Sequence, residues 1–482
     1  MRPMKSLLSF CLLSATAVAA PQQYSVELNL SNNSDNAVIE SVGSQYRLRS
    51  LNGTFASQVF DAPTGELVIN GLGGDDTINV GAINLTDAFV FVRGGAGNDS
   101  TTFDGLGTTG KVFSDDSDGD NSLTLNNSSA GGVEVYDGAG IQTLTIAVSE
   151  TFGDVIMVSP DGGSSLTIDS STIAGAVLID NAGFGNDNLS FGNSQTGGDF
   201  FASTGNGEVF FYGAAGNIDG SLSVATNGGI LDVVTDNFGM SGSLFTFSGE
   251  GETRRMLSNT VVAGILNSDS FLGFDTTILN NFEAAEVVTN NGEGGSLMEI
   301  TGTVNIANRL VVTDNDFGGD AEEVDIDASG FIGDISVYSS TGASRLDVGG
   351  FMTVRNIVNT AGGGTTVRAN NALIQGNLIS YVFGGGSEHS LTNTAVGGLT
   401  DVFTLAGSDF VFLVDSTFNG NAYFNLGNGD DTYSEARTVF FSDRIANGGG
   451  DGDYYEDLGL NAVFGYGSIE DFEFVFLLPL TF

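Results

Sequence analysis

Short β-rich segments close on Val80, Phe103, Leu125, Ile146, Ile168, Phe191, Phe211 and Val234, in steps of roughly 20 to 23 residues, the length of one coil in a stacked repeat. One unit reads as a strand such as Phe89-Val90-Phe91-Val92, a polar loop such as Gly94 to Asp99, then a second β-rich stretch ending at Phe103. A unit this short cannot bury its apolar face alone, so copies must stack, at about 4.8 Å per coil. Stacking places Ile, Val, Leu and Phe ladders inside and Thr, Ser, Asn and Asp outside. The fold class that follows is all-β, a right-handed parallel β-helix with coils of about 22 residues. It predicts about twenty coils and a length on the order of 90 Å, with the hand taken from the parallel crossover rule.

Composition supports this. The chain has 71 Gly and 5 Pro, and glycine at that density costs helices about 1 kcal/mol per residue. With 41% hydrophobic residues and 36 Phe, it carries far more apolar surface than a solvated acidic tail. From Thr235 to about Asn421 the Gly/Asp clusters thin out, but alternating segments persist, such as Leu310-Val311-Val312 and Ile335-Ser336-Val337. The spacing predicts the same solenoid there, with plainer turns.

The ends read differently. Arg2 and Lys5 precede an apolar run from Leu7 to Val18 and small residues at Ala17-Val18-Ala19, the pattern of an export signal over residues 1–19. A secreted protein, extracellular or at the cell surface, is the expectation, and the exported chain would contain no cysteine, since Cys11 is the only one. Residues 20–64, with irregular spacing and the charged strand Tyr46-Arg47-Leu48-Arg49, suit a cap and first coils; 65–471 form the β-helix, and 472–482 a closing cap strand. No segment suits membrane insertion: Phe472 to Phe482 is too short to span a bilayer. A formal charge of −45, from 59 Asp+Glu against 14 Lys+Arg, disfavours nucleic acid and favours cations.

The loops carry the candidate chemistry. Gly94-Gly95-Ala96-Gly97-Asn98-Asp99 fits the first six positions of a Gly-Gly-x-Gly-x-Asp nonapeptide, and Gly71 to Ile78 fits with Leu72 at the second glycine. Partial copies run from Gly183 to Leu189 and from Gly427 to Tyr433, and Gly448 to Asp453 has two positions exchanged. These loops resemble the hemolysin-type calcium-binding (RTX-like) repeats. The resemblance implies Ca²⁺ held by aspartates and carbonyls between stacked turns. In that family the nonapeptide runs in tandem, whereas here it appears about once per longer coil. Independently of the family, Ca²⁺ needs six to eight oxygens, and glycine frees the backbone to bring them together. One coil separates Asp76 from Asp99, and another separates Asp431 from Asp453. Two bridging sites follow, Asp75 and Asp76 with Asn98 and Asp99, and Asp430 and Asp431 with Asp451 and Asp453, with Asp187 a further candidate ligand. The alternative is that Gly, Asn and Asp simply make tight turns. The loop with Asp115, Asp116, Asp118 and Asp120 is balanced between the two, and the one with Gln142 in place of the aspartate reads as structural.

Catalysis is the competing class. Asp325 and Asp327 lie two apart on one strand face, separated by about 7 Å, within the range of an inverting glycosidase. A groove with clustered arginine, at Arg254-Arg255 or at Arg345, Arg355 and Arg368, would favour a polysaccharide lyase or glycosidase on a β-helix scaffold. His389 is the only histidine and reads as a surface residue, and no Gly-x-Ser-x-Gly elbow is present. Ice binding needs flat, regular Thr-x-Thr ladders, and threonine here is scattered among Ser, Asn and Asp. The sequence thus predicts a structural or adhesive, non-catalytic solenoid with Ca²⁺ in its loops, and extracellular polysaccharide or cell-surface components as partners.

Overall fold

The computed structural model describes residues 23–314 and 321–477. The expected export segment 1–19 and residues 478–482 of the expected closing strand lie outside them. The described chain is all-β, a parallel solenoid with coils of about 22 residues and about 18 turns. That is slightly fewer turns than the sequence suggests, because the first segments form a hairpin. Each coil carries three strands, for example Ser100–Asp104, Leu106–Thr108 and Lys111–Asp116. Each pairs in parallel with its counterpart one coil on, Ser100 with Ser122, Gly107 with Ser129 and Lys111 with Gly132. The result is three parallel sheets and three corners.

Period-two alternation decides which side chains enter. In Asn121–Asn126 buried and half-buried residues alternate, so Leu123 and Leu125 stack on Leu144 and Ile146, then on Leu166 and Ile168. The loss of rotamer freedom is small for these residues, and full burial contributes about 1.5 to 3 kcal/mol each.

The corner between the first and second sheets is a left-handed turn. Asn127, Ser170, Asn193, Asn259, Asn281 and Asn393 all have φ between 47° and 51°, a conformation asparagine tolerates through local hydrogen bonding. The next residue faces inward. Leu106 N donates to Ser128 Oγ at 3.1 Å, and Ser128 N and Ser149 N donate to Ser149 Oγ and Ser171 Oγ at 3.0 Å each. A serine of one coil thus satisfies a buried N–H of the coil before it, which would otherwise cost about 1 to 3 kcal/mol.

At the start of the described chain Asn36–Val42 and Gln45–Ser50 form an antiparallel hairpin, and Asn36–Val42 also pairs in parallel with Thr77–Val80. Arg47 and Arg49 both reach Glu40 across this hairpin. In the middle, strands such as Thr253–Leu272 and Asp275–Glu293 run 20 and 19 residues through the corners, because no Gly/Asp loop interrupts them.

Two sequence expectations change here. His389 is fully buried rather than on the surface, with Nε2 2.8 Å from Ser380 Oγ. Burial pushes its pKa down to about 4, so it is a neutral interior group. Arg255, offered as a groove residue, is also fully buried. It pairs with buried Asp275 and donates to the hydroxyls of Thr246, Ser268 and Thr277.

Candidate cation-binding corners

The third corner is the Gly/Asp loop. Gly73, Ala96 and Asp118 bridge in succession, as do Ala406, Asn428 and Gly450, so the loops stack in register at both ends of the rod. The residue two places before the inner aspartate has positive φ, 99° at Gly74, 129° at Gly97 and 149° at Gly429, which only glycine adopts freely. The exchanged residues of the last loop place Asp451 there, at φ 100°.

Adjacent loop acids point in opposite directions, which separates the predicted ligands into two layers. Asp75, Asn98, Asp430 and Asp451 are exposed, while Asp76, Asp99, Asp431 and Asp453 are buried. The outer layer holds the following coil: Asn98 N donates to Asp75 Oδ1 at 2.9 Å and Gly452 N to Asp430 Oδ1 at 3.2 Å. The inner layer holds the preceding coil: Asp35 N donates to Asp76 Oδ1 at 2.7 Å, Asp76 N to Asp99 Oδ1 at 2.8 Å, and Asp431 N to Asp453 Oδ1 at 3.0 Å. Asp35 and Glu473, which accepts from Asp453 N at 2.7 Å, extend the ladders beyond the predicted pairs. Sequence reasoning misses both. Asp35 lies outside any Gly-rich loop, and Glu473 ends a loop without glycine.

Turn-making accounts for only one oxygen of each inner carboxylate. Oδ2 of Asp76, Asp99, Asp187, Asp431 and Asp453 is buried and has no hydrogen-bond partner. At Asp409, in the same column, the hydroxyl of Thr404 fills the equivalent role at 2.6 Å. Burial is the main cause that pushes Asp76 and Asp431 up to about 7; backbone donation from the preceding coil opposes it and neighbouring carboxylates reinforce it. Asp99 and Asp453 are also raised by burial.

The unpaired oxygens of Asp76, Asp99 and Asp453 each lie against a glycine of their own loop. A Cβ on Gly71 would collide with Asp76 Oδ2 and the carbonyl of Gly94. On Gly94 it would collide with Asp99 Oδ2 and Asp116 Oδ1, and on Gly448 with Asp453 Oδ2 and the carbonyl of Asp471. Carboxylate and carbonyl oxygens gathered beside a bare Cα fit a hard cation such as Ca²⁺. Among the described residues no three of His, Cys, Asp and Glu group closely enough to hold a metal ion by side chains alone, so carbonyls must complete any such shell. Asp187 stands apart. Its ladder neighbours are Ser164 and Val209, so no second carboxylate joins it, and Oδ1 is held by Ser164 N and Asn181 Nδ2, both at 2.8 Å. At the loop read as balanced, Asp116 Oδ1 accepts from Gly94 N and Oδ2 from Ser114 Oγ, and Asp120 Oδ1 accepts from Ile141 N at 2.9 Å.

No protein-family model matches the chain, and no curated protein or solved structure matches it.

The outward pair Asp325 and Asp327 lies in an open groove with Asp347, Arg368, Asn370 and Phe351. Burial, and then the charge of Asp347, raises Asp325. The remaining arginines offered as groove residues are each paired with carboxylates: Arg345 with Glu323 and Asp347, Arg355 with Asp334, Arg368 with Glu388, and Arg254 with Glu252. In this arrangement they neutralise neighbouring carboxylates.

Proposed function

We propose that the chain is a secreted or cell-surface structural or adhesive rod, non-catalytic, whose end coils are clamped by Ca²⁺ at the inner aspartates. The observation that carries this reading is the set of buried, unpartnered Oδ2 atoms at Asp76 and Asp99 near one end and Asp431 and Asp453 near the other. Buried carboxylate oxygens without a donor are costly, and a bound cation removes that cost. Sites of extracellular affinity, with Kd of about 10⁻⁴ to 10⁻³ M, would each stabilise the rod by about 1.4 kcal/mol at tenfold excess. The acidic composition and the export-like first residues support the extracellular structural role.

The test separates turn from cation. In the next coil Asn121 Oδ1 accepts from Asp99 N at 2.9 Å, so asparagine serves the turn equally well. Asp76→Asn with Asp99→Asn therefore keeps the backbone cap and removes the charge. Thermal unfolding of the wild type should rise in millimolar Ca²⁺ over EDTA, more than in Mg²⁺, and this response should shrink in the double variant. Identical wild-type curves in Ca²⁺ and EDTA would reduce the corners to turns. The second reading, a carbohydrate-active enzyme, draws its support from the groove at Asp325 and Asp347. Polysaccharide cleavage by the wild type, abolished in Asp325→Asn, would replace the non-catalytic reading.

A further inference from the structure

The first sheet brings scattered hydroxyl residues into register. Ser100, Ser122, Thr143 and Ser165 form one outward column over successive coils. Two residues along each strand, Thr102, Thr124, Thr145 and Thr167 form a second. Thr77 and Asn79 extend the columns on one side and Asn188 and Ser190 on the other, with no break in register across the six strands. The sequence expectation that threonine is too scattered for a ladder is therefore corrected. The array alternates Ser and Thr, and loops of variable length hide its regularity in the linear text.

Three further features define this face. First, neither column contains a charged residue from Thr77 to Ser190, in a chain of net charge −45. Charges return farther along the same columns, at Asp232, Arg254, Glu323 and Arg345. Second, among the described residues no hydrogen bond engages the hydroxyl of Thr102, Thr124, Thr145 or Thr167, and all four are half-exposed; the one contact inside the array is Ser122 Oγ to Ser100 Oγ at 2.9 Å. Third, the array is free of aromatic side chains, which begin only at Phe210 and Tyr212 in the next coil.

We propose that this face binds ice. Strand geometry sets the hydroxyls about 4.8 Å apart between coils and about 7 Å apart along each strand. Oxygens on a prism face of hexagonal ice repeat at closely similar distances in two perpendicular directions. The parallel sheet holds the array rigid before contact, so ordering it at the surface costs little further entropy. The two hydroxyl columns are uncharged and so complement an uncharged lattice, whereas carboxylates would bind disordered water around themselves; those of this face, Asp104 and Asp169, stand two residues beyond the columns at the strand ends. A sugar polymer is the less suited occupant, because the array offers no ring on which a pyranose could stack. The hydroxyl array does not depend on the cation corners, which open on a different part of the coil.

Ice growth in solutions of the full chain tests it. Thermal hysteresis and inhibition of recrystallisation are expected from the wild type. Both should be lost in Thr124→Lys with Thr145→Lys and kept in Ser223→Lys, which changes a different sheet. Adsorption of fluorescently labelled wild type to a growing ice surface is a readout that does not depend on how the variant folds. Ice that grows in the wild-type solution as in buffer, excluding the labelled chain, overturns the proposal. So does activity unchanged in a double variant that melts like the wild type. Binding to crystalline cellulose or chitin that the same double variant loses would overturn it in favour of a glycan.

Discussion

Single positions show where the repeat forces a residue into a conformation or environment it does not favour. Val148 occupies the left-handed corner at φ 49°, where most coils place Asn, Asp or Ser, and a β-branched side chain there costs roughly 1 to 2 kcal/mol. Its side chain is 60% exposed, so little packing compensates. Val148→Asn should stabilise the chain by about 1 kcal/mol, read as a higher urea midpoint at unchanged slope; a lower midpoint would mean that the turn is not strained. Asp275 is the opposite case. It pairs with Arg255 inside the rod, both almost completely excluded from solvent. Removing the carboxylate leaves a buried guanidinium with only hydroxyl partners, so Asp275→Ala should destabilise by about 3 to 5 kcal/mol. The double change Arg255→Met with Asp275→Ala should recover most of that loss. Failure to recover would assign the cost to cavity and packing rather than to charge.

At the scale of the corner, the inner aspartates tie stability to pH. The ordinary aspartate value is 3.8, and the folded chain raises Asp76 and Asp431 to about 7. The folded state therefore holds these protons more tightly than the unfolded state, and stability is lost as pH rises through the folded values. In EDTA the melting temperature should fall from about pH 5 to about pH 8, and Ca²⁺ should flatten that fall by taking the place of the proton. A melting temperature that rises over this window would show that the unpaired oxygens do not remain protonated. The arginine-held carboxylates Glu40, Asp334, Glu388 and Asp415, all lowered, act with the opposite sign only at more acidic pH. The adjacency of Asp76 with Asp99 and of Asp431 with Asp453 was legible, because a step of one coil fixes which residues stack. Which of Asp75 and Asp76 turns inward was not legible. Apolar alternation sets the phase of a strand, and a glycine loop with free φ interrupts it. His389 and Arg255 escaped for a related reason: each sits on an inward phase beside Ser and Thr, which look like surface residues until neighbouring coils supply their partners.

The whole molecule behaves as a one-dimensional stack, in which each coil contacts only its neighbours and opening begins where a neighbour is missing. Among the described residues, four of the six buried unpartnered aspartate oxygens, those of Asp76, Asp99, Asp431 and Asp453, lie towards those ends, the other two being at Asp187 and Asp347, and the long continuous strands from Thr253 to Ser339 occupy the middle. Both ends also carry the ladder outward, to Asp35 on one side and Glu473 on the other, so a clamp at Asp76 and Asp99 or at Asp431 and Asp453 restrains the coil that frays first. Hydrogen exchange should therefore respond to Ca²⁺ unevenly. Amides around residues 71–99 and 427–453 should slow, because their opening is local, while those of the central strands should keep the same rate with Ca²⁺ or EDTA. Uniform slowing along the chain would show that the cation screens the overall negative charge instead. Slowing at one end alone would leave a single site, and the glycine cradles beside Asp76 and Asp99, which the loop of Asp431 lacks because Leu426 stands there, identify the end where it would remain.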